Sequence, residues 1–179
     1  VGNPNVGKSS LFNALTGLHQ HTGNWPGKTV ATAAGTCSID GAAVELIDLP
    51  GTYSLSARSP EEEVAAEYIS FGSADAVIVV CDATALERNL YLALQVMEIT
   101  DHVVICVNLM DEAGKRGITV DLPRLSQMLG VRVVGTSARQ KKTLPPLLRA
   151  AVAAAQERHR KPVPVRYGEA IEAGLFSIE

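Results

Sequence analysis

The sequence predicts an α/β fold in which a mostly parallel sheet of six strands is covered by helices on both faces. Short apolar runs alternate along the chain with segments of helical periodicity, as such a fold requires. Two of these runs, at residues 76–81 (AVIVVC) and 103–107 (VVICV), are rich in β-branched residues without alternation, which is typical of central strands buried on both faces. Only Val1 precedes a glycine-rich loop that leads into a helix, so we expect the first strand to be largely missing.

The remaining elements follow from local patterns. Further strands are predicted at residues 32–39, 44–47 and 131–134, and the small residues of the first of these favour a position at a sheet edge. Helices are predicted at residues 8–16, 60–69, 86–99, 122–129 and 144–158. The strongest helix start is Ser59-Pro60 followed by three glutamates, because a capping serine, a proline at the first position and acids near the positive helix end all favour it.

Composition excludes several classes of protein. With 179 residues, of which 46% are apolar and 20% charged, the chain has the make-up of a globular domain. Its longest apolar runs, among them residues 76–81, are far shorter than the ~20 residues that span a bilayer. A net charge of −3 argues against nucleic acid as a partner.

A break in composition near the end of the chain predicts a domain boundary. The segment KPVP at residues 161–164 is typical of a stiff, extended linker. We therefore expect one domain over residues 1–160 and, over residues 161–179, a linker and the first part of a truncated helical domain. The apolar residues of that last part recur at near-helical spacing: Tyr167, Ile171, Leu175 and Ile178. Because the chain starts with valine and stops inside this pattern, we expect a fragment trimmed at both ends.

The glycine-rich segment at residues 2–9 (GNPNVGKS) matches the phosphate-binding pattern G-x-x-x-x-G-K-[ST] at every fixed position. Its glycines let backbone N–H groups wrap around phosphates, and a helix starting near Lys8 adds its positive end. Lys8 would reach the β- and γ-phosphates, and Ser9 would bind Mg²⁺. The predicted phosphate-binding residues are Gly2, Asn3, Pro4, Asn5, Val6, Gly7, Lys8, Ser9 and Ser10.

Two later segments complete a candidate nucleotide site. Asp48 ends an apolar strand, where ligands bind in open α/β sheets, so it could hold Mg²⁺ through water while the Gly51 N–H meets a γ-phosphate. After the strand at residues 103–107, Asp111 could accept two hydrogen bonds from guanine that adenine cannot donate, and Asn108 would tie this loop to the phosphate loop. The alternatives are an ordinary turn and a helix cap. The predicted base-binding residues are Asn108, Met110, Asp111, Ser137, Ala138 and Arg139.

In this order the motifs resemble the P-loop GTPase superfamily. Three segments narrow the resemblance: residues 23–30 (GNWPGKTV), 48–55 (DLPGTYSL) and 82–90 (DATALERNL) resemble the cytosolic G domain of the FeoB family of bacterial ferrous-iron transporters. The resemblance covers residues 1 to about 158, and the tail resembles the start of that family's helical domain. It implies a GTPase coupled to Fe²⁺ uptake at the cytoplasmic face of the inner membrane, with its own helical and transmembrane domains as partners; a homo-oligomer stays open.

The resemblance also implies roles for single residues. Thr29 would be the threonine that binds Mg²⁺ when GTP is present, beside the other metal ligands Ser9 and Asp48. Asn5 would hold a stimulatory K⁺ through its side-chain carbonyl, although an asparagine there could simply support the turn. Lys28 replaces the apolar residue that is usual before the threonine. The groups expected to carry catalysis are Lys8, Asn5, Thr29 and Gly51.

Hydrolysis is expected to be slow. Many GTPases place a glutamine after D-x-x-G to orient the attacking water, and Thr52 has that position here. Two other functions stay open: a GTPase associated with RNA or the ribosome, which the acidic charge balance disfavours, and a module that binds the nucleotide without turnover.

Overall fold

The computed structural model describes residues 1–17, 20–25 and 28–157, with the Gln20 side chain excepted. Its helices are α1 (Lys8–Thr16), α2 (Pro60–Phe71), α3 (Leu86–Ile99), α4 (Met110–Lys115), α5 (Leu122–Leu129) and α6 (Leu144–Gln156). Its strands are β1 (Gln20–Asn24), β2 (Ala31–Ile39), β3 (Ala42–Asp48), β4 (Val77–Asp82), β5 (Val103–Asn108) and β6 (Arg132–Gly135). The helices predicted at residues 8–16, 86–99 and 122–129 have the predicted bounds. The predicted linker and helical segment lie outside the described residues.

The strands form two sheets of three. One is parallel, in the order β4-β5-β6, and the other is antiparallel, in the order β1-β2-β3. The predicted α/β class with a parallel sheet is confirmed, but a single six-stranded sheet is wrong for the described residues. Gly2 forms only an isolated parallel bridge with Val80 of β4. The Val1 and Gly2 carbonyls accept from the Val80 N–H (2.8 Å) and the Thr52 N–H (3.2 Å), and the Val1 amino group donates to the Ile78 carbonyl (2.9 Å), which is too few bonds for a continuous ladder.

The antiparallel sheet contains one strand that was not predicted, and it corrects the predicted position of another. β1 has the sequence QHTGN, which lacks the apolar alternation that marks a strand, and it was not predicted. Its pairing with β2, in which Asn24 faces Ala31, makes β2 the central strand rather than the predicted edge strand. The small residues of β2 are therefore no guide to its position. The β2–β3 turn has positive φ at Asp40 (50°) and Gly41 (84°), which suits a tight hairpin.

Helices cover both faces of the parallel sheet, as predicted. Successive strand residues point to opposite faces, so Val79 and Ile105 pack in one cluster with α2 and α3. Val80 and Cys106 pack in a second cluster with α1 and α6. All of β5 is buried, which explains its continuous apolar sequence. Among the described residues, no helix combines the length and the apolar character needed to cross a membrane.

Candidate functional site

The phosphate-loop motif forms a tight turn that ends at the start of α1. Asn5 and Gly7 both have positive φ, at 66° and 81°, and Gly7 is the residue that caps α1. A Cβ atom on Gly7 would lie 2.6 Å from Asn108 Nδ2, and one on Gly2 would lie 2.6 Å from the Val80 carbonyl oxygen. Both glycines are therefore required by close packing, and the first N–H groups of α1 have no acceptor within the helix, as at any helix start.

At the phosphate end of the site, the side chains predicted to bind phosphate and Mg²⁺ lie together. Lys8 Nζ donates a hydrogen bond to Asp48 Oδ1 at 2.5 Å, and Ser9 Oγ lies 3.5 Å from Asp48 Oδ2. Hydroxyl and carboxylate oxygens are the hard donors that Mg²⁺ prefers, so this pair fits the metal. Gly51 lies against the loop as well, because a Cβ there would come within 3.3 Å of the Pro4 Cα.

A buried asparagine joins the phosphate loop to the loop after β5. Asn108 has no exposed surface, and its Nδ2 donates to the Val6 carbonyl at 3.0 Å. Its Oδ1 accepts a hydrogen bond from Thr136 Oγ1 at 3.1 Å. The predicted tie between the two loops is therefore present. Thr136 was missed by sequence reasoning, because only its distance in space from Asn108 shows its role.

Asp111 is held by the segment after β6. The Ser137 hydroxyl donates to Asp111 Oδ1 at 2.7 Å and accepts from the Asp111 N–H at 3.2 Å. The hydroxyl donation lowers the pKa of the Asp111 carboxyl below its ordinary value of 3.8, so the group stays ionised near neutral pH. Leu109, at a φ of 62°, begins α4 and sets the direction of this loop. The helix-cap alternative is not supported: α4 does begin here, but its cap residue is Leu109 and no side chain caps it with a hydrogen bond.

The other predicted base-binding residues are placed differently. The Met110 side chain packs beneath the end of β6, 3.4 Å from the Cβ position of Gly135. Ala138 packs on the cluster beside α6. The Arg139 guanidinium is mostly exposed and lies 4.0 Å from the Glu112 carboxylate.

Thr29, a predicted metal ligand, makes no hydrogen bond to the other predicted metal ligands in the part of the chain that the structure describes. It is exposed in the loop between β1 and β2, and among the described residues no hydrogen bond joins it to Ser9 or Asp48. Thr52, by contrast, is buried, and its hydroxyl donates to the Ser54 carbonyl at 2.7 Å. The Thr52 hydroxyl is thus already engaged by the backbone.

A phosphate loop and an asparagine-tied base loop at one edge of a parallel sheet identify the fold as that of the P-loop GTPases. Residues 1–151 match the family described as Ferrous iron transport protein B. The chain belongs to this family, FeoB, as the resemblance of its motifs implied.

Individual relatives and solved structures of FeoB proteins support this family assignment. The chain is 44% identical to a Fe(2+) transport protein A/Fe(2+) transporter FeoB fusion protein of Porphyromonas gingivalis. The alignment runs over 181 residues and covers 99% of this chain and 21% of that relative. The apo cytosolic domain of the T. maritima FeoB iron transporter superposes with a TM-score of 0.94 at 41% identity, over 100% of this chain and 71% of that one. The same domain is also solved in GDP and GMPPNP forms, each with a TM-score of 0.93. The chain spans about a fifth of the length of the curated relatives it matches.

Proposed function

We propose that this chain is the GTP-binding, Mg²⁺-dependent and slowly GTP-hydrolysing switch domain of a ferrous-iron uptake transporter. The observation that carries the proposal is the hydrogen bond from Asn108 to the Val6 carbonyl, because it joins a phosphate loop and a candidate base loop into one site. The T. maritima domain, 41% identical, was solved with GDP and with GMPPNP. We extend guanine nucleotide binding from that relative to this chain.

Asp111 would select guanine. Its ionised carboxylate accepts hydrogen bonds from the N1–H and the 2-amino group, and the Ser137 hydroxyl keeps it charged and oriented. Adenine has no donors there and would leave the carboxylate unpaired, at a cost of about 1.5–3 kcal/mol for each charged hydrogen bond lost. The Ala138 N–H would meet guanine O6. Met110 and Arg139 would contribute backbone or outer contacts.

Lys8 would bind the β- and γ-phosphates in place of its present partner Asp48. Ser9 and Asp48 are then free to hold Mg²⁺, with Thr29 joining them when GTP is bound. The metal neutralises charge on the phosphates, and the Gly51 N–H adds a donor at the γ-phosphate.

Slow turnover is part of the proposal. The Thr52 hydroxyl is engaged by the Ser54 carbonyl, so it is not available to orient a water. Lys8, the N–H groups of the loop and a K⁺ ion at Asn5 would then carry catalysis. The positive φ of Asn5 equally fits a residue that supports the turn.

The wider setting is proposed on the same basis. The domain would act at the cytoplasmic face of the bacterial inner membrane, with the helical and transmembrane parts of the transporter as its partners. We propose a G domain over residues 1–160 and a helical domain that starts within 161–179. No nucleic-acid partner is proposed, since the net charge is −3.

The test is nucleotide competition. Labelled GDP bound to the 179-residue protein should be displaced by GTP and not by equal ATP. Asp111→Asn should weaken GTP and favour xanthosine triphosphate, whose ring has an acceptor where guanine has a donor. Asp75→Asn, an exposed acid before the amino end of β4, is the matched control and should behave as the parent. Equal displacement by ATP would contradict the proposal.

A further inference from the structure

The loop that carries Thr29 is attached to α2 by contacts that sequence patterns did not reveal. Lys28 Nζ lies 3.1 Å from Glu63 Oε1 and 3.2 Å from Glu67 Oε2. The rings of Trp25 and Tyr68 meet edge to face, with centroids 5.2 Å apart and planes at 86°. We call these five residues the α2 latch.

The two halves of the α2 latch reinforce each other. Glu63 and Glu67 are one helical turn apart and share one side of α2, whereas Tyr68 points about 100° further round the helix, so the ion pairs and the ring contact hold two adjoining sides of α2. Trp25 also packs on the core cluster beneath α2 and α3. The Lys28 ammonium lies between two carboxylates whose side chains are 58% and 55% exposed, so both ion pairs are at the surface.

Backbone hydrogen bonds connect the latch to the residues on either side of Thr29. The Trp25 N–H donates to the Val30 carbonyl at 2.7 Å, and the Lys28 N–H donates to the Trp25 carbonyl at 3.0 Å. Thr29 therefore sits between Lys28, tied to α2, and Val30, which is buried. A displacement of Thr29 would therefore strain the contacts of these two neighbours.

In the conformation that has the α2 latch, two residues of the phosphate end, Lys8 and Asp48, are paired with each other. The Lys8 ammonium, which would bind phosphate, donates its hydrogen bond to the Asp48 carboxylate instead. Asp48 also pairs in register with Ala33 of β2, the strand that leads out of the Thr29 loop. A contact formed in one conformation and lost in another stabilises the first.

We propose that the α2 latch holds the Thr29 loop in a resting position and must open when GTP and Mg²⁺ recruit Thr29 to the site. This inference rests on the proposed role of Thr29 as a metal ligand. It makes Lys28 and Trp25 positioning residues that oppose the GTP-bound state, and it predicts that weakening the latch favours GTP analogues over GDP.

Trp25 is the single tryptophan of the chain, so its fluorescence reports on the latch directly. Lys28→Ala should make Trp25 more accessible to acrylamide, while Lys28→Arg, which keeps the charge, should leave quenching as in the parent. Glu61→Gln is the matched control, since it removes a carboxylate from the same helix turn that makes no ion pair with Lys28 among the described residues. High salt should increase quenching in the parent more than in Lys28→Ala, because it screens exposed ion pairs.

Calorimetry then tests whether opening the latch favours the GTP analogue over GDP. Lys28→Ala should raise the affinity for GMPPNP with Mg²⁺ by about threefold, a size expected for exposed ion pairs, and leave GDP affinity in EDTA unchanged. Quenching that does not rise in Lys28→Ala would overturn the proposal. So would GMPPNP affinity that stays the same or falls while quenching rises. If the parent bound neither nucleotide, the proposed function would fail, and so would the regulatory part of this inference, while the quenching comparison would still show whether the latch exists.

Discussion

At the base end of the candidate site, Asn108 and Ser137 are buried and hydrogen-bonded to the elements around them, whereas Thr29, apart from the phosphate end, lies exposed in a loop that surface contacts hold against α2. Buried amide and hydroxyl pairs cost free energy to break, because each partner is left without water. Exposed ion pairs such as Lys28–Glu63 are worth little singly and weaken with salt. This contrast supports the proposal that the base end is preformed before the nucleotide binds and that the Thr29 loop changes position upon binding.

The largest expected effect is at the phosphate end. Lys8→Ala should reduce Mg²⁺-dependent hydrolysis by about a thousandfold, since charge stabilisation supplies most of phosphoryl-transfer catalysis. Phosphate release under single turnover measures it. Lys115→Ala, which removes an exposed lysine paired with Glu112 on α4, is the control and should keep turnover within about twofold of the parent. Parent-like turnover in Lys8→Ala would show that the loop does not bind phosphate as proposed.

A smaller effect concerns K⁺ and Asn5. The parent should hydrolyse GTP faster in KCl than in NaCl of equal ionic strength by at least about tenfold, or roughly 1.4 kcal/mol of barrier. Asn5→Gly should lose this difference, because it removes the carbonyl and still accepts the positive φ of 66°. Equal rates of the parent in both salts would remove K⁺ from the mechanism, and an unaltered difference in Asn5→Gly would remove Asn5.

The smallest effect is at the base end and depends on pH. The pKa of Asp111 is lowered in the folded state by the Ser137 hydroxyl, so its ionised form contributes stability above about pH 3.8 that is lost as pH falls through the folded pKa. The Asp111 side chain is partly exposed, so we expect about 0.5 kcal/mol or less. Urea unfolding of the parent and Asp111→Asn should differ most above about pH 4 and converge below it. A difference that grows with acid would have the wrong sign.

Local patterns predicted much of this architecture and missed the contacts between distant segments. The Ser59 cap, which accepts from the Glu62 N–H at 3.2 Å, could be predicted because all its parts lie within four residues. β1 could not, since its polar sequence becomes a strand only through pairing with β2.

In the candidate site, too, local motifs could be predicted and contacts between distant residues could not. The phosphate loop and Asp111 belong to short motifs and were predicted from them. The Thr136–Asn108 bond and the Lys28–Glu67 pair join residues that are 28 and 39 positions apart, so no local pattern reports them. Whether Thr29 lies near Ser9 depends on such distant contacts, which is why its predicted role stays a proposal.

The central claim is that one buried amide joins the two ends into a single nucleotide site, and Asn108→Ala tests it most directly. The variant removes the side-chain donor to the Val6 carbonyl and one of the two partners of the Thr136 hydroxyl, which keeps its contact with the Cys106 thiol, so the free energy of unfolding should fall by about 1–3 kcal/mol. GDP affinity measured by calorimetry should fall by at least about tenfold, because the two loops lose their fixed spacing. Ser126→Ala removes a hydrogen bond to the Val131 carbonyl at the opposite end of β6 and should cost stability without changing GDP affinity. GDP binding by Asn108→Ala as tight as that of the parent would contradict the account.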